Sequence, residues 1–168
     1  MFQSELEGKA HKFGDDINTD YIIPGKYLMN VLDSAQLATH AMEGVDPNFH
    51  EKISDGDIIV AGNNFGCGSS REEAPQVIKE AGIGAVVAKS FARIFYRNAI
   101  NIGLPILECD TDPINQGDTL QVSLEEGTVN INNSEEKIET KPLPESMRKI
   151  LRDGGMVKHL QKHGTFQL

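Results

Sequence analysis

The 168-residue sequence predicts an α/β fold in which a parallel strand–helix–strand–helix–strand core is followed by an antiparallel hairpin. Between residues 57 and 107, short runs rich in valine, isoleucine and alanine alternate with segments of helical periodicity, and the connections are short. From residue 117 onward, polar and apolar residues alternate around a Glu-Gly turn, which is typical of a hairpin. The length fits one compact domain that spans residues 1–168.

The first part of the chain is predicted to consist of ordered loops and one short helix. Residues 1–30 contain a dense cluster of Gly, Asp, Asn and Pro, which favours loops with turn chemistry. The helix is predicted over Asp33–Met42, with Asp33 or Ser34 as its N-cap.

Three buried strands and two helices form the predicted parallel core. The strands are short, apolar and partly β-branched, and the second helix carries apolar residues at helical spacing. Gly82 stands where the first helix is expected to stop. In chain order, the elements are the strand Asp57–Ala61, the helix Glu72–Ala81, the strand Gly84–Ala88, the helix Ser90–Asn101 and the strand Leu104–Leu107.

The last part of the chain is predicted to add a hairpin and a helix. Thr119–Leu124 and Thr128–Ile131 are the two strands, joined by the Glu126-Gly127 turn. A helix over Glu145–Asp153 follows two prolines, and the glycines after it break it.

Composition excludes several classes of function. The net charge of −9 disfavours nucleic acid or an anionic membrane as the partner of the whole surface. No apolar run approaches the ~20 residues that span a bilayer, and the first residues lack the apolar stretch of a signal peptide, so we expect a cytoplasmic protein. Cys67 and Cys109 are too few for a disulfide framework or a self-contained iron–sulfur site, and we expect neither a metal nor a cofactor bound by this chain alone.

Charge is unevenly distributed along the sequence. The segment Gly66–Gly103 holds five basic and three acidic residues, whereas the rest of the chain is strongly acidic. Such a stretch either arises by chance or marks where a small anion is held, and composition alone leaves both open.

The loop after the first buried strand carries the most informative residues. Glycines at positions 62, 66 and 68 allow left-handed backbone angles and close approach to a ligand. Ser70-x-x-Glu73 has the form of a capping box, with Ser69-x-x-Glu72 as an alternative register. Both registers put the serines at a helix N-terminus, which favours an anion such as a carboxylate, a phosphate or a serine alkoxide. The spacing fits neither a P-loop, a dinucleotide fingerprint nor a G-x-S-x-G elbow.

Other reactive residues receive plainer interpretations. Cys67 is a candidate nucleophile or metal ligand, but the favoured interpretation is a small residue packed in a tight turn. Cys109 is predicted to be a core residue. The five histidines are interpreted as scattered, without ligand spacing, and as structural or solvated residues. Arg93 and Arg97 lie one helical turn apart and either contact a partner or anchor nearby loops, of which we favour the second.

Three blocks of sequence resemble a known family. GDDINTDYIIPGKYL, GNNFGCGSSREEAPQVIKEAG and AKSFARIFYRNAINIGLPI are similar to the small subunits of 3-isopropylmalate dehydratases, the swivelling-domain partners of the aconitase superfamily. The resemblance covers nearly the whole chain. It implies a three-layer β/β/α swivelling domain and a hydro-lyase of leucine biosynthesis that interconverts 2- and 3-isopropylmalate. The substrate that the resemblance implies is a small anionic dicarboxylate. In this family, a separate large subunit carries a 4Fe–4S cluster that binds the substrate as a Lewis acid, and the two chains form a heterodimer or heterotetramer.

The resemblance also implies roles for individual residues. Ser69 matches the serine whose alkoxide removes the α-proton of the substrate. Ser70 and Arg71 match residues that bind the substrate carboxylate and stabilise the alkoxide, and Asp20 matches an active-site aspartate. Gly68 completes the predicted substrate-binding loop, because its backbone can approach a ligand closely.

Two departures from the family pattern bear on specificity. Homoaconitase-type small subunits usually have an arginine in a Tyr-Leu-Arg-Thr block, associated with a third carboxylate, where this chain has Met29. An apolar, flexible methionine suits an isopropyl group, so isopropylmalate is favoured over homocitrate or citrate. Glu73 stands where the family more often has histidine. The alternatives left open are a related hydro-lyase acting on citramalate, 2,3-dimethylmalate or homoaconitate, and a non-catalytic module that binds an anion or a partner.

Overall fold

The computed structural model describes residues 3–30 and 32–164, and that part of the chain contains seven strands and eight helices. The strands are β1 (Glu5–Lys12), β2 (Ile58–Ala61), β3 (Ala85–Ala88), β4 (Ile106–Glu108), β5 (Thr119–Ser123), β6 (Thr128–Ile131) and β7 (Lys137–Glu139). The helices are α1 (Thr19–Ile22), α2 (Gly25–Leu28), α3 (Ser34–Ala38), α4 (Phe49–Lys52), α5 (Glu73–Glu80), α6 (Arg93–Ile102), α7 (Glu145–Arg152) and α8 (Met156–His163). None of the helices in these ranges is long and apolar enough to cross a membrane.

The strands form one mixed sheet in the order β4-β3-β2-β1-β5-β6-β7. The four strands from β4 to β1 run parallel, and β1, β5, β6 and β7 pair antiparallel. Residues 5–9 of β1 pair with β5, whereas residues 10–12 pair with β2, so β1 joins the two halves. The predicted class, a parallel βαβαβ core with an antiparallel hairpin, is therefore confirmed.

The strand β1, which precedes the loop-forming cluster of residues 1–30, was not predicted. Leu6, Gly8 and Ala10 alternate with charged residues, which is the period-2 pattern of a strand with one covered face. Few of these residues are apolar, so the pattern is weak. Gly8 is required there, because a Cβ would lie 2.1 Å from the carbonyl oxygen of Gly56.

Two further elements differ from prediction in extent. The first helix is shorter than Asp33–Met42: α3 ends at Ala38 and turns follow it. Its start was predicted correctly, since Asp33 and Gln36 form a reciprocal capping box. The three-residue strand β7 was not predicted, because KIE is too short to show a period.

The topology places three loops at one edge of the sheet. β1, β2 and β3 are parallel neighbours, so their carboxyl ends lie side by side. The loops that follow them are residues 13–18, 62–72 and 89–92. All residues of β2 and β3 are buried, so the strands that carry these loops are held firmly in the core. In parallel sheets, this is the edge where ligands bind.

Candidate active site

The loop of residues 62–72, called the serine loop below, is fastened to the loop after β1. The N–H of Gly66 donates to the carbonyl of Ile17 at 2.7 Å, and the N–H of Thr19 donates to the carbonyl of Cys67 at 2.9 Å. The hydroxyl of Thr19, a buried residue, donates to the carbonyl of Ser69 at 2.8 Å. These hydrogen bonds use main-chain atoms of the serine loop, so its side chains remain available to contact a ligand.

The other side of the serine loop is fastened to the loop before α6. Phe65 donates its N–H to the carbonyl of Ser90 at 3.0 Å and accepts from the N–H of Ala92 at 2.9 Å. Gly66, at φ +83°, lies so close to the buried Phe95 ring that a Cβ would be 2.2 Å from its Cγ. Main-chain pairing on both sides makes the serine loop a rigid support.

The predicted capping box does not form. α5 begins at Glu73, its N-cap is Glu72, and no side chain caps it. Pro75 explains the difference. A helix capped at Ser70 would place Pro75 beyond the first turn, where it lacks an N–H and its ring clashes with the carbonyl of Arg71. The serines therefore precede α5 and do not cap it.

A cleft of about 200 Å³ separates Ser69, Ser70 and Arg71 from the start of α6. The opposite wall is made by residues 92–95, and Thr19, Gly66, Gly68 and Asn98 complete the lining. α6 has Ala92 as its N-cap, with no side-chain cap. The first N–H groups of a helix have no partner within it. The helix N-terminus that favours an anion in this cleft is thus that of α6, whereas the sequence predicted that of α5.

Arg71 is held in place by three neighbours. Its Nη1 lies 2.7 Å from Oδ1 of Asp20 and donates to the carbonyl of Ile23 at 2.9 Å. Its side chain is 18% exposed, against 64% for Asp20. Gly25 packs against the guanidinium, and a Cβ there would lie 3.2 Å from Nη2. The guanidinium is fixed with N–H groups left over for a ligand.

The structure brings most of the predicted site residues together. Ser69, Ser70, Gly68 and Arg71 line the cleft, and Asp20 is bound to Arg71. The hydrogen bonds found among residues 3–30 and 32–164 leave both serine hydroxyls unused. Met29 is not in the cleft: it follows α2 and is 88% exposed.

Neither cysteine has the features of a reactive thiol. Burial, together with the charge of Asp16, raises the pKa of Cys67. Burial, with a contribution from Asp110, raises the pKa of Cys109 to about 12. Thiols held protonated are poor nucleophiles and poor metal ligands.

The interpretation of the histidines as scattered is wrong for His159 and His163, whereas their contacts with Asp153 agree with the structural role expected of them. They lie one turn apart on α8 and both bind Oδ2 of Asp153, at 2.7 and 2.9 Å. Within the described residues, these three are the one group of side chains close enough to share a metal ion. However, Nζ of Lys162 lies 2.7 Å from Oδ1 of Asp153 and already supplies a cation. The i, i+4 spacing in the sequence was the signal for this cluster.

Arg93 and Arg97 do not anchor a loop in the described structure. Between residues 3 and 30 and from 32 to 164, neither guanidinium takes part in a side-chain hydrogen bond or ion pair. Both are exposed on α6, and Arg93 lines the cleft.

Comparison with known proteins places the chain among related sequences. The sequence model of the family described as Aconitase C-terminal domain matches residues 11–112. The chain is 54% identical to 3-isopropylmalate dehydratase small subunit 2 of Archaeoglobus fulgidus, over 98% of this chain and 99% of that one. It is 51% identical to the methanogen homoaconitase small subunit of Methanocaldococcus jannaschii, over 96% and 95% of the two chains. A crystal structure of a 3-isopropylmalate dehydratase from Methanocaldococcus jannaschii superposes with a TM-score of 0.91, at 51% identity and 95% coverage of both chains.

Proposed function

The chain belongs to the aconitase C-terminal domain family, and from this premise we propose that it is the small subunit of a dehydratase that interconverts 2- and 3-isopropylmalate. The cleft carries the proposal, because it places a free serine hydroxyl beside a fixed guanidinium at an uncapped helix N-terminus. These are the groups needed to bind a carboxylate and to stabilise a serine anion. The cytoplasmic location expected from the sequence remains part of the proposal.

Ser69 is the proposed base. Its alkoxide takes a proton from the carbon next to the one that bears the hydroxyl and becomes the neutral serine. The C–H electron pair becomes the second bond of an alkene, and the hydroxyl leaves as water with a proton supplied from solvent. In the return step, the hydroxide of water adds to the carbon that lost the proton and the remaining proton of the water goes back to solvent. Ser69 gives its proton to the carbon that lost the hydroxyl, which restores the alkoxide and completes the isomerisation. A serine hydroxyl ionises far above neutral pH, so Arg71, the N–H groups of α6 and the exclusion of water must stabilise its anion.

Ser70 and Arg71 are the proposed carboxylate ligands. Asp20 and the carbonyl of Ile23 fix one side of the guanidinium, so its remaining N–H groups keep a defined direction. Asp20 thereby acts as a positioning residue for Arg71, and its exposure leaves room for contact with a partner chain.

A separate large subunit is the proposed partner, as the small-subunit relatives suggest. The 4Fe–4S cluster of that subunit, when present, supplies the Lewis acid that binds the substrate hydroxyl. This chain is unsuited to hold such a cluster, since it has two cysteines and their thiols are held protonated.

Homoaconitate is the second candidate substrate, because a homoaconitase small subunit is as similar as several dehydratase subunits. Overall identity does not separate the two activities. Met29 lies outside the cleft and is 88% exposed, so it bears on this choice only where the large subunit covers it. Covered in that way, its apolar side chain leaves a third carboxylate without a partner, which favours the dicarboxylate.

The test is a reconstitution. The chain is mixed anaerobically with its cognate cluster-bearing subunit, and turnover is followed with 2-isopropylmalate, homoaconitate and citramalate. We expect the isolated chain to be inactive and the complex to act best on 2-isopropylmalate. A complex that assembles but does not convert 2-isopropylmalate would refute the proposal.

A further inference from the structure

A groove between α6 and α7, separate from the cleft, has no role in the function proposed above. It measures about 570 Å³, against about 200 Å³ for the cleft. Its lining combines two arginines with apolar and aromatic side chains, chiefly Arg93, Tyr96, Arg97, Met147, Ile150 and Met156. The hydroxyl of Tyr96 lies 3.6 Å from the sulfur of Met147 and links the two helices. We call this feature the α6–α7 groove.

The two arginines of the groove lack carboxylate partners in the described part of the chain. By contrast, Arg71, Arg148 and Arg152 each pair with an acidic side chain. In a protein of net charge −9, these two exposed guanidinium groups therefore remain available for acidic groups outside the described residues. Because guanidinium groups bind carboxylates in bidentate geometry, the groove is suited to an acidic ligand.

The position of Arg93 is electrostatically unfavourable, and an anionic ligand would offset this cost. Arg93 is the first residue of α6, where the positive end of the helix dipole disfavours a cation. The first turn of α6 contains no acidic residue to compensate. A carboxylate from outside the chain would stabilise both the arginine and the helix end.

The groove is continuous with the cleft, because Arg93 lines both. If the proposed function is right, a partner subunit must cover the cleft to keep water from the serine anion. A chain that covers the cleft and extends past Arg93 enters the groove. Its thioether and aliphatic side chains suit an apolar anchor, and the arginines suit carboxylates beside it.

We propose that the α6–α7 groove binds a segment of the large subunit in which an apolar side chain is flanked by carboxylates. This inference rests on the function proposed above. It assigns Arg97 to subunit recognition alone, since Arg97 lines the groove and not the cleft.

The test measures the affinity of the large subunit for three forms of this chain: wild type, Arg97→Glu and Lys137→Glu. Lys137 lies on β7, at the far edge of the sheet, and its reversal changes the net charge equally. We expect Arg97→Glu to raise the dissociation constant about tenfold or more and Lys137→Glu to change it less than about twofold. Added salt should weaken the wild-type complex more steeply than the Arg97→Glu complex. At saturating large subunit, Arg97→Glu should keep the wild-type kcat.

The possible failures are distinguishable. Equal affinities of Arg97→Glu and Lys137→Glu in an active complex would overturn the groove proposal and leave the proposed function intact. A complex that assembles with the expected affinities but does not turn over 2-isopropylmalate would overturn the function alone. If Arg97→Glu alters self-association of the isolated chain but not binding of the large subunit, the groove binds a second copy and the proposal is wrong. Arg97→Gln repeats the test should the charge reversal impair folding.

Discussion

At the scale of single residues, the side chains of the candidate site are free to react because hydrogen bonds between loops use main-chain atoms. The serine loop is fastened through main-chain atoms, and even Thr19 binds the carbonyl of Ser69 and not its hydroxyl. Arg71 was predicted from the sequence as a carboxylate ligand. The ion pair between Arg71 and Asp20 was not predicted, because contacts between residues far apart in sequence depend on the fold. The exposure of Met29 was likewise not predicted from the sequence.

Met29→Arg tests substrate specificity. An arginine at this exposed position adds a cation that can pair with a third carboxylate. In the reconstituted complex, we expect the ratio of kcat/KM for homoaconitate to that for 2-isopropylmalate to rise about tenfold or more. Met29→Lys tests whether charge alone suffices. An unchanged ratio in both variants would show that Met29 does not control specificity.

At the scale of elements, local signals predicted the buried strands and failed where tertiary contacts or short length decide. β2 and β3 are wholly apolar and were predicted to within one residue. The capping box of α5 failed because Pro75 moves the start of that helix. The pairing of the serine loop with two other loops has no local signal, since it follows from the parallel order of β1, β2 and β3.

Gly66→Ala tests the contact between the serine loop and α6. The new Cβ would lie 2.2 Å from Cγ of Phe95, and φ +83° is strained for alanine. We expect the free energy of unfolding to fall by about 2 kcal/mol or more. Gly14→Ala is the matched control, because nothing lies within 4 Å of its added Cβ. Equal denaturant midpoints for the two variants would contradict this account of the loop.

Asp153→Asn tests how the C-terminal helix is attached. A hydrogen bond from Lys162, joined by His159 and His163, lowers the pKa of Asp153 well below its usual range, although burial opposes the shift. A depressed folded-state pKa stabilises the protein above the unfolded pKa of about 3.9, and this contribution is lost as the pH falls further. We expect Asp153→Asn to cost about 2 kcal/mol between pH 5 and 7, and less below about pH 4.

The control for this prediction is Glu135→Gln, an exposed acid-to-amide change in the loop before β7. It should leave stability nearly unchanged at every pH. If Asp153→Asn lowered the free energy of unfolding at pH 6 as little as Glu135→Gln does, the carboxylate would not be the group that holds α8 to the end of α7.

At the scale of the whole molecule, net charge is a poor guide to the ligand. The charge of −9 suggests a protein that avoids anions, yet the cleft and the α6–α7 groove both present arginines. The locally basic segment Gly66–Gly103 contained this information, and the fold shows that it forms both walls of the cleft. That residues 1–168 act as one domain stays a prediction.

The role of Ser69 as the base of a dehydratase formed with a large subunit is tested by measuring kcat of the Ser69→Ala complex. Turnover of 2-isopropylmalate is compared with that of wild type and of Ser34→Ala, a serine-to-alanine control on α3. We expect kcat to fall about 10³-fold or more for Ser69→Ala, with unchanged affinity for the large subunit, and not to fall for the control. Ordinary turnover by the Ser69→Ala complex would contradict this role of Ser69.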